Sequence, residues 1–197
     1  AMNIKKYNVK NTLLEHKETI EKIINSNEII YTIDCIANLL IEKLSKGNKI
    51  LLAGNGGSAS DSQHMCGELV GKLNFDRKGL PAISLTADNA IITAISNDYS
   101  FEDVFSRQIQ ALCNKEDVVM LYSTSGNSMN IINAINQAKF KGGVVIGFSG
   151  LSGGNMSNKC DYLIRVPSTS TQRIQESHHL INHIICEKVE GILFQKD

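Results

Sequence analysis

Five short apolar runs, each ending in small or polar residues, constrain this chain more than any other feature: 49–53, 81–85, 117–122, 143–148 and 162–166. After them, apolar residues recur at helical spacing over Ser58 to about Leu73, Ala90–Ile95, Phe101–Leu112, a stretch reaching about Lys141, and Thr171–Phe194. Strands that alternate with helices predict a parallel sheet covered on both faces. The expected class is α/β, a three-layer αβα sandwich with a five-stranded parallel sheet. Such sheets take ligands beyond the carboxyl ends of their strands. Ahead of the sheet, Leu13–Leu44 reads as two helices with a break near Asn25–Asn27, and Gly47 stops the second. The two helices exceed what the sheet needs for cover, so part of their apolar surface would meet another subunit. Residues 1–197 read as one domain, with N-terminal helices over about 1–46 and the α/β core over about 47–197.

Charge excludes several partners. The 20 basic and 20 acidic residues balance, so no bulk field draws the chain to nucleic acid or anionic membrane. No apolar run is long enough to span a bilayer. Ala1–Lys10 lacks an apolar stretch of the secretory kind, and the expected location is the cytoplasm. Cys35, Cys66, Cys113, Cys160 and Cys186 are odd in number with no CxxC pair, which predicts reduced thiols.

Two strand ends carry unusual turns. Gly54-Asn-Gly-Gly-Ser-Ala59 opens a helix whose free N–H groups favour an anion. It also fits the dinucleotide pattern G-x-G-x-x-A. That pattern needs an acidic residue ending the next strand, about 20 residues on, and Asp88 lies too far along. The second turn, Ser123-Thr-Ser-Gly-Asn-Ser128, sets four hydroxyls where a strand gives way to a helix. One helix cap needs one side chain, whereas hydroxyls together with helix N–H groups coordinate phosphate oxygens without a lysine.

Acid, base and metal candidates sit on two helices. His64 and Glu68 share a face at i,i+4, and both types serve as zinc ligands and proton carriers. The last helix carries Gln175, Glu176, His178, His179 and His183, of which Gln175, His179 and His183 step by four. Spacing alone leaves open which of the three imidazoles faces a site. A carboxylate and an imidazole suffice to move a sugar carbonyl between C1 and C2 through an enediol, and a metal ion could polarise the carbonyl.

Gly54–Ser58, Ser123–Ser128, Asn97-Asp98 followed by Phe101–Arg107, and Arg173–His178 together resemble the phosphoheptose isomerases of the SIS (sugar isomerase) superfamily, over nearly the whole chain. The resemblance implies a flavodoxin-like SIS fold and isomerisation of sedoheptulose 7-phosphate to D-glycero-D-manno-heptose 7-phosphate, a precursor of nucleotide-activated heptose for surface polysaccharide. It implies a homotetramer with active sites between subunits, and one zinc ion per subunit. By matching positions, His64, Glu68, Gln175 and His183 would bind the metal, and Glu68 and His183 would form the catalytic pair. Substrate contacts would come from Asn55, Gly56, Gly57, Ser58, Glu68, Asn97, Asp98, Ser123, Thr124, Ser125, Ser128 and Gln175. The chain departs from the pattern at Gln172, Lys72 and the additional imidazole of His179. Other relatives with this fold bind the bacterial replication initiator and lack the Glu and the final His. This chain has both, as Glu68 and His183, which favours the isomerase.

Overall fold

The computed structural model describes residues 8–194. The first seven and last three positions of the expected domain lie outside the described residues. In chain order the elements are α1 (Val9–Ile24), α2 (Asn27–Ser45), β1 (Ile50–Gly54), α3 (Gly57–Val70), β2 (Ala82–Ser84), α4 (Asn89–Asp98), α5 (Val104–Leu112), β3 (Val118–Tyr122), α6 (Met129–Phe140), β4 (Val144–Ser149), β5 (Tyr162–Arg165) and α7 (Thr171–Phe194). The expected helix break is a double cap: Asn25 closes α1, and Ser26 Oγ accepts the Ile29 N–H to open α2. Gly47 follows α2 at φ +85°, a left-handed conformation that only glycine adopts without strain.

All strand pairs are parallel, in the order β2-β1-β3-β4-β5. The chain leaves β1 toward one edge and returns through β3 toward the other. The switch point therefore lies between β1 and β3, where the two polar turns emerge. Every residue of β1 and β3 is buried, hence their unbroken apolar sequences. Alternate side chains serve opposite layers. Leu52, Met120, Tyr122 and Phe148 pack toward α2, α3 and α7, while Leu51, Val119, Leu121 and Val145 pack toward α5 and α6.

The two N-terminal helices are not equivalent. α2 belongs to the core layer, with Ile33, Ile36, Ala37, Leu40 and Leu44 buried in the same cluster as the sheet. Of α1 only Thr19 and Ile23 are buried, and Leu13, Leu14 and Ile24 are exposed. The surplus of cover expected for both helices is thus larger on α1, while α2 exposes Ile30 and Tyr31 near its start.

α7 is held to the sheet and to α3 by buried polar contacts. Tyr122 stacks on Phe148 and donates its hydroxyl to Asn182 Oδ1 at 2.9 Å. His178 lies edge-on to Phe148 and donates Nε2–H to the Ser149 carbonyl at 3.1 Å. Burial pushes its imidazole down to about 4, so it is neutral near pH 7. At the far end of α7, buried Glu190 accepts the N–H groups of Leu73 (2.9 Å) and Asn74 (2.7 Å) and pairs with Arg77 Nε (2.8 Å). Arg77 also donates to the carbonyls of Glu68 and Leu69, closing the carboxyl end of α3.

Burial alone would raise the Glu190 pKa, but the two backbone N–H groups and Arg77 outweigh it and hold the carboxyl below its ordinary range. Its stabilising contribution is therefore complete above the ordinary glutamate value and is lost as pH falls through the depressed one. Glu190→Gln should cost about 3–5 kcal/mol at neutral pH, because Arg77 stays buried without its counter-charge. Urea unfolding at neutral and acid pH checks both points: the variant should lose less stability on acidification than the parent.

Candidate active site

α3 and α7 lie side by side and run in the same direction, since Gly57 meets Gln175, Asp61 meets His179 and His64 meets His183. Both begin at the carboxyl edge of the sheet, so their pairing carries side chains from that edge outward along one groove. A Cβ on Gly57 would lie 2.5 Å from Gln175 Oε1, so glycine is what lets the amide rest against the start of α3.

Two turns further along, His64 Nε2 lies 2.9 Å from His183 Nε2 and 3.0 Å from Glu68 Oε1, and His183 Nε2 lies 3.8 Å from the same oxygen. His179 completes a triangle of imidazoles, with ring centroids 4.5, 4.9 and 4.8 Å apart. The structure thus separates the three histidines of α7: His178 serves the core, while His179 and His183 face α3. It joins His64, Glu68 and His183 as expected, and adds His179. The donor set suits a zinc-class cation, since tetrahedral ligands at about 2.0–2.1 Å from a metal lie about 3.3 Å from one another.

The hydroxyl loop lies at the switch point. Ser128 stands at the N-cap of α6, yet its hydroxyl turns to Ser123 Oγ (3.1 Å) instead of to a helix N–H. Ser125 Oγ lies 3.5 Å from Ser123 Oγ and accepts the Asn127 N–H. Capping therefore does not account for the cluster, and the first N–H groups of α6 remain available to an anion. Gly126 has φ +69°, and a Cβ there would strike the Gly153 carbonyl at 2.1 Å, so the loop is pressed onto its neighbour and preorganised. Thr124 and Ser125 line a cavity of about 450 Å³, together with Ser168, Thr169 and Ile174. Ser128 lines a second cavity, of about 410 Å³, with Asn55 and Asn130. The imidazole cluster borders neither cavity. It sits seven residues beyond Gly57, about 10 Å along α3 at the usual rise.

The remaining expected residues divide. Ser58 is buried at the first turn of α3, and Gly56 takes φ +58° in open space. Asn97 and Asp98 are exposed at the end of α4, where Asn97 Nδ2 donates to Asp98 Oδ1; they are not drawn to the loops or the imidazoles. Gln172 accepts from Ser170 Oγ at the exposed start of α7, and Lys72 is exposed beyond α3. Asp88 caps α4 through the Ile91 N–H.

Sequence reasoning missed two residues. Asn130 exchanges reciprocal 2.9 Å hydrogen bonds with Asn55, tying the first turn to the start of α6 across the switch point. Asp61 is buried and holds His179 Nδ1 at 3.2 Å. Its i,i+3 spacing to His64 was a visible signal for the second, whereas nothing local marked the first. All five cysteines are free, and burial pushes the Cys160 and Cys186 thiols up to about 12, well away from nucleophilic character. No described helix is long and apolar enough to cross a membrane.

Comparison with known proteins finds similarity over most of the chain. Residues 14–150 match the SIS domain family. The chain is 47% identical over 188 residues to a phosphoheptose isomerase of Burkholderia pseudomallei, covering 95% of each protein. It is 52% identical over 176 residues to phosphoheptose isomerase 2 of Campylobacter jejuni, covering 89% of this chain and 88% of the other. The solved structure of a phosphoheptose isomerase from Francisella tularensis superposes with a TM-score of 0.90 at 33% identity, covering 97% of this chain and 100% of that one.

Proposed function

The chain belongs to the phosphoheptose isomerases of the SIS domain family, and from that membership we propose that it interconverts sedoheptulose 7-phosphate and D-glycero-D-manno-heptose 7-phosphate in the cytoplasm. The product would supply nucleotide-activated heptose for surface polysaccharide. The observation that carries this reading is the half-buried Glu68 carboxylate, 3.0 and 3.8 Å from two imidazoles, in a groove whose inner end meets the glycine turn at the start of α3.

In the proposed reaction Ser123, Thr124, Ser125 and Ser128, with the N–H groups of α6, hold the phosphate. Asn55 and the glycine turn border the sugar. Both imidazole contacts of Glu68 use Oε1, which leaves Oε2 to take a proton from C1 of the ketose. His183 protonates the C2 oxygen as the enediol forms. Glu68 then returns its proton to C2, and the C1 hydroxyl gives up its own to His183, leaving the aldehyde. One proton moves between carbons and one between oxygens, so both groups end as they began.

We further propose a zinc ion held by His64, Glu68 and His183, with Gln175 added by the family pattern. When bound, the metal would supply Lewis-acid polarisation of the carbonyl. Glu68 would hold it through Oε1 and His183 through Nε2, the atoms that face the cluster, which leaves Glu68 Oε2 and His183 Nδ1 for the proton transfers. The arrangement is proposed to complete itself in a homotetramer, in which Asn97 and Asp98 would meet a site on another subunit. Exposed Leu13, Leu14 and Ile24 on α1, and Leu180 and Ile184 on α7, support such packing.

Turnover of sedoheptulose 7-phosphate by the purified protein tests the reaction. Glu68→Gln should lower kcat by about 10²–10⁴-fold, the range for a positioned acid–base group, with KM nearly unchanged. Metal content measured alongside separates loss of the base from loss of the ion, and a variant that keeps both zinc and kcat would remove Glu68 from the mechanism. Ser125→Ala should chiefly raise KM, because it removes binding to a part of the substrate that does not react. Light scattering at micromolar concentration should give four times the chain mass, and a monomer would contradict the shared site.

A further inference from the structure

We infer that the fourth metal donor in this chain is Nε2 of His179 and not the amide of Gln175, so that three imidazoles and one carboxylate hold a zinc-class ion. The inference rests on the metal-bearing reading of the site and alters its ligand set.

The four donors form two i,i+4 pairs on parallel helices: His64 and Glu68 on α3, His179 and His183 on α7. Residues at that spacing share one face, and the in-register packing of the helices turns the two faces toward each other. One ligand atom from each of the three histidines lies within 4.8 Å of the others. Their ring planes are inclined at 51°, 84° and 82°, so no two rings stack. The rings bring nitrogens together: Nε2 of His64 and Nε2 of His183 lie 2.9 Å apart.

Asp61 specifies which His179 nitrogen is the ligand. Its Oδ1 lies 3.2 Å from Nδ1, and a carboxylate can only accept there. That contact places the proton on Nδ1 and leaves the Nε2 lone pair free, the arrangement by which a carboxylate commonly orients a metal-binding histidine. Asp61 is 7% exposed, and its Oδ2 is buried with no partner among the described residues. A buried carboxylate with one neutral partner is costly, whereas one facing an imidazole polarised by a cation is compensated.

Gln175 is differently placed. Its Oε1 occupies the space beside Gly57 at the start of α3, whereas His64 is two turns further on. On α7 it stands eight residues from His183, about 12 Å of helix rise, while His179 stands one turn away. Three imidazoles with a carboxylate suit zinc, cobalt or nickel and disfavour magnesium or calcium.

The test is binding of Zn²⁺ to the full-length chain after chelator stripping, read by competition with a chromophoric chelator, together with the visible spectrum of the Co²⁺-loaded protein. Asp61→Asn should weaken Zn²⁺ by about 10–100-fold, the usual effect of removing a partner behind a ligand. His179→Asn should weaken it further and change the Co²⁺ bands, while Gln175→Ala should alter neither. Each variant is compared at equal helix content by circular dichroism; Asp61→Asn keeps the question open should His179→Asn fail to fold. Zn²⁺ lost in Gln175→Ala but retained in His179→Asn would overturn the inference and leave a metal site of the family type. A parent chain that binds no Zn²⁺ would overturn the metal reading with it. A parent that binds Zn²⁺ as described but does not turn over sedoheptulose 7-phosphate would overturn only the proposed reaction.

Discussion

Glu190 sits 1% exposed near the end of α7, paired with Arg77 and accepting two backbone N–H groups from the turn after α3. This clamp, with Gln175 against Gly57 at the other end, sets the register of two parallel helices. Between these fixed points the pairs Asp61–His179 and His64–His183 fall opposite each other. A slip of one residue would rotate each face by roughly 100° and disperse the cluster. The buried ion pair need not add much net stability for this purpose. Its worth lies in the alternatives it excludes, since any other register would bury Arg77 or Glu190 unpaired.

The same sheet that buries the helices also separates the two halves of the chemistry. The switch point between β1 and β3 leaves a crevice where the Asn55–Asn130 amide pair joins the two polar turns. In the proposed reaction, phosphate binding would fall to rigid loop backbone and hydroxyls at the sheet edge, and proton transfer to side chains about 10 Å out along α3. A substrate anchored there by its unreactive end would present its carbonyl end to the groove, so that binding at one end becomes positioning at the other.

Much of this was determined by the sequence itself. The five strands lie within a residue or two of their apolar runs; for the central β1, β3 and β4 this follows because buried parallel strands have no polar face to interrupt the pattern. α7 spans the expected Thr171–Phe194, and the hydroxyl-rich loop stands out because four such side chains exceed what one cap can use. His64 and Glu68 were legible as a pair because i,i+4 spacing is a local property of a helix.

What the tertiary structure alone decided depends on contacts distant in sequence. Nothing in the order His178-His179 says which imidazole enters the core; that follows from where Phe148 and the Ser149 carbonyl lie when α7 packs on the sheet. Both N-terminal helices are amphipathic, but the sheet face near β5 needs one cover; the more apolar α2 takes it, while α1 stays largely outside. Asn130 and Asp61 acquire their roles from partners 75 and 118 residues away. Local sequence carries propensity and periodicity, whereas the meeting of His64 with His183 is a consequence of helix register, which exists only once the core has closed.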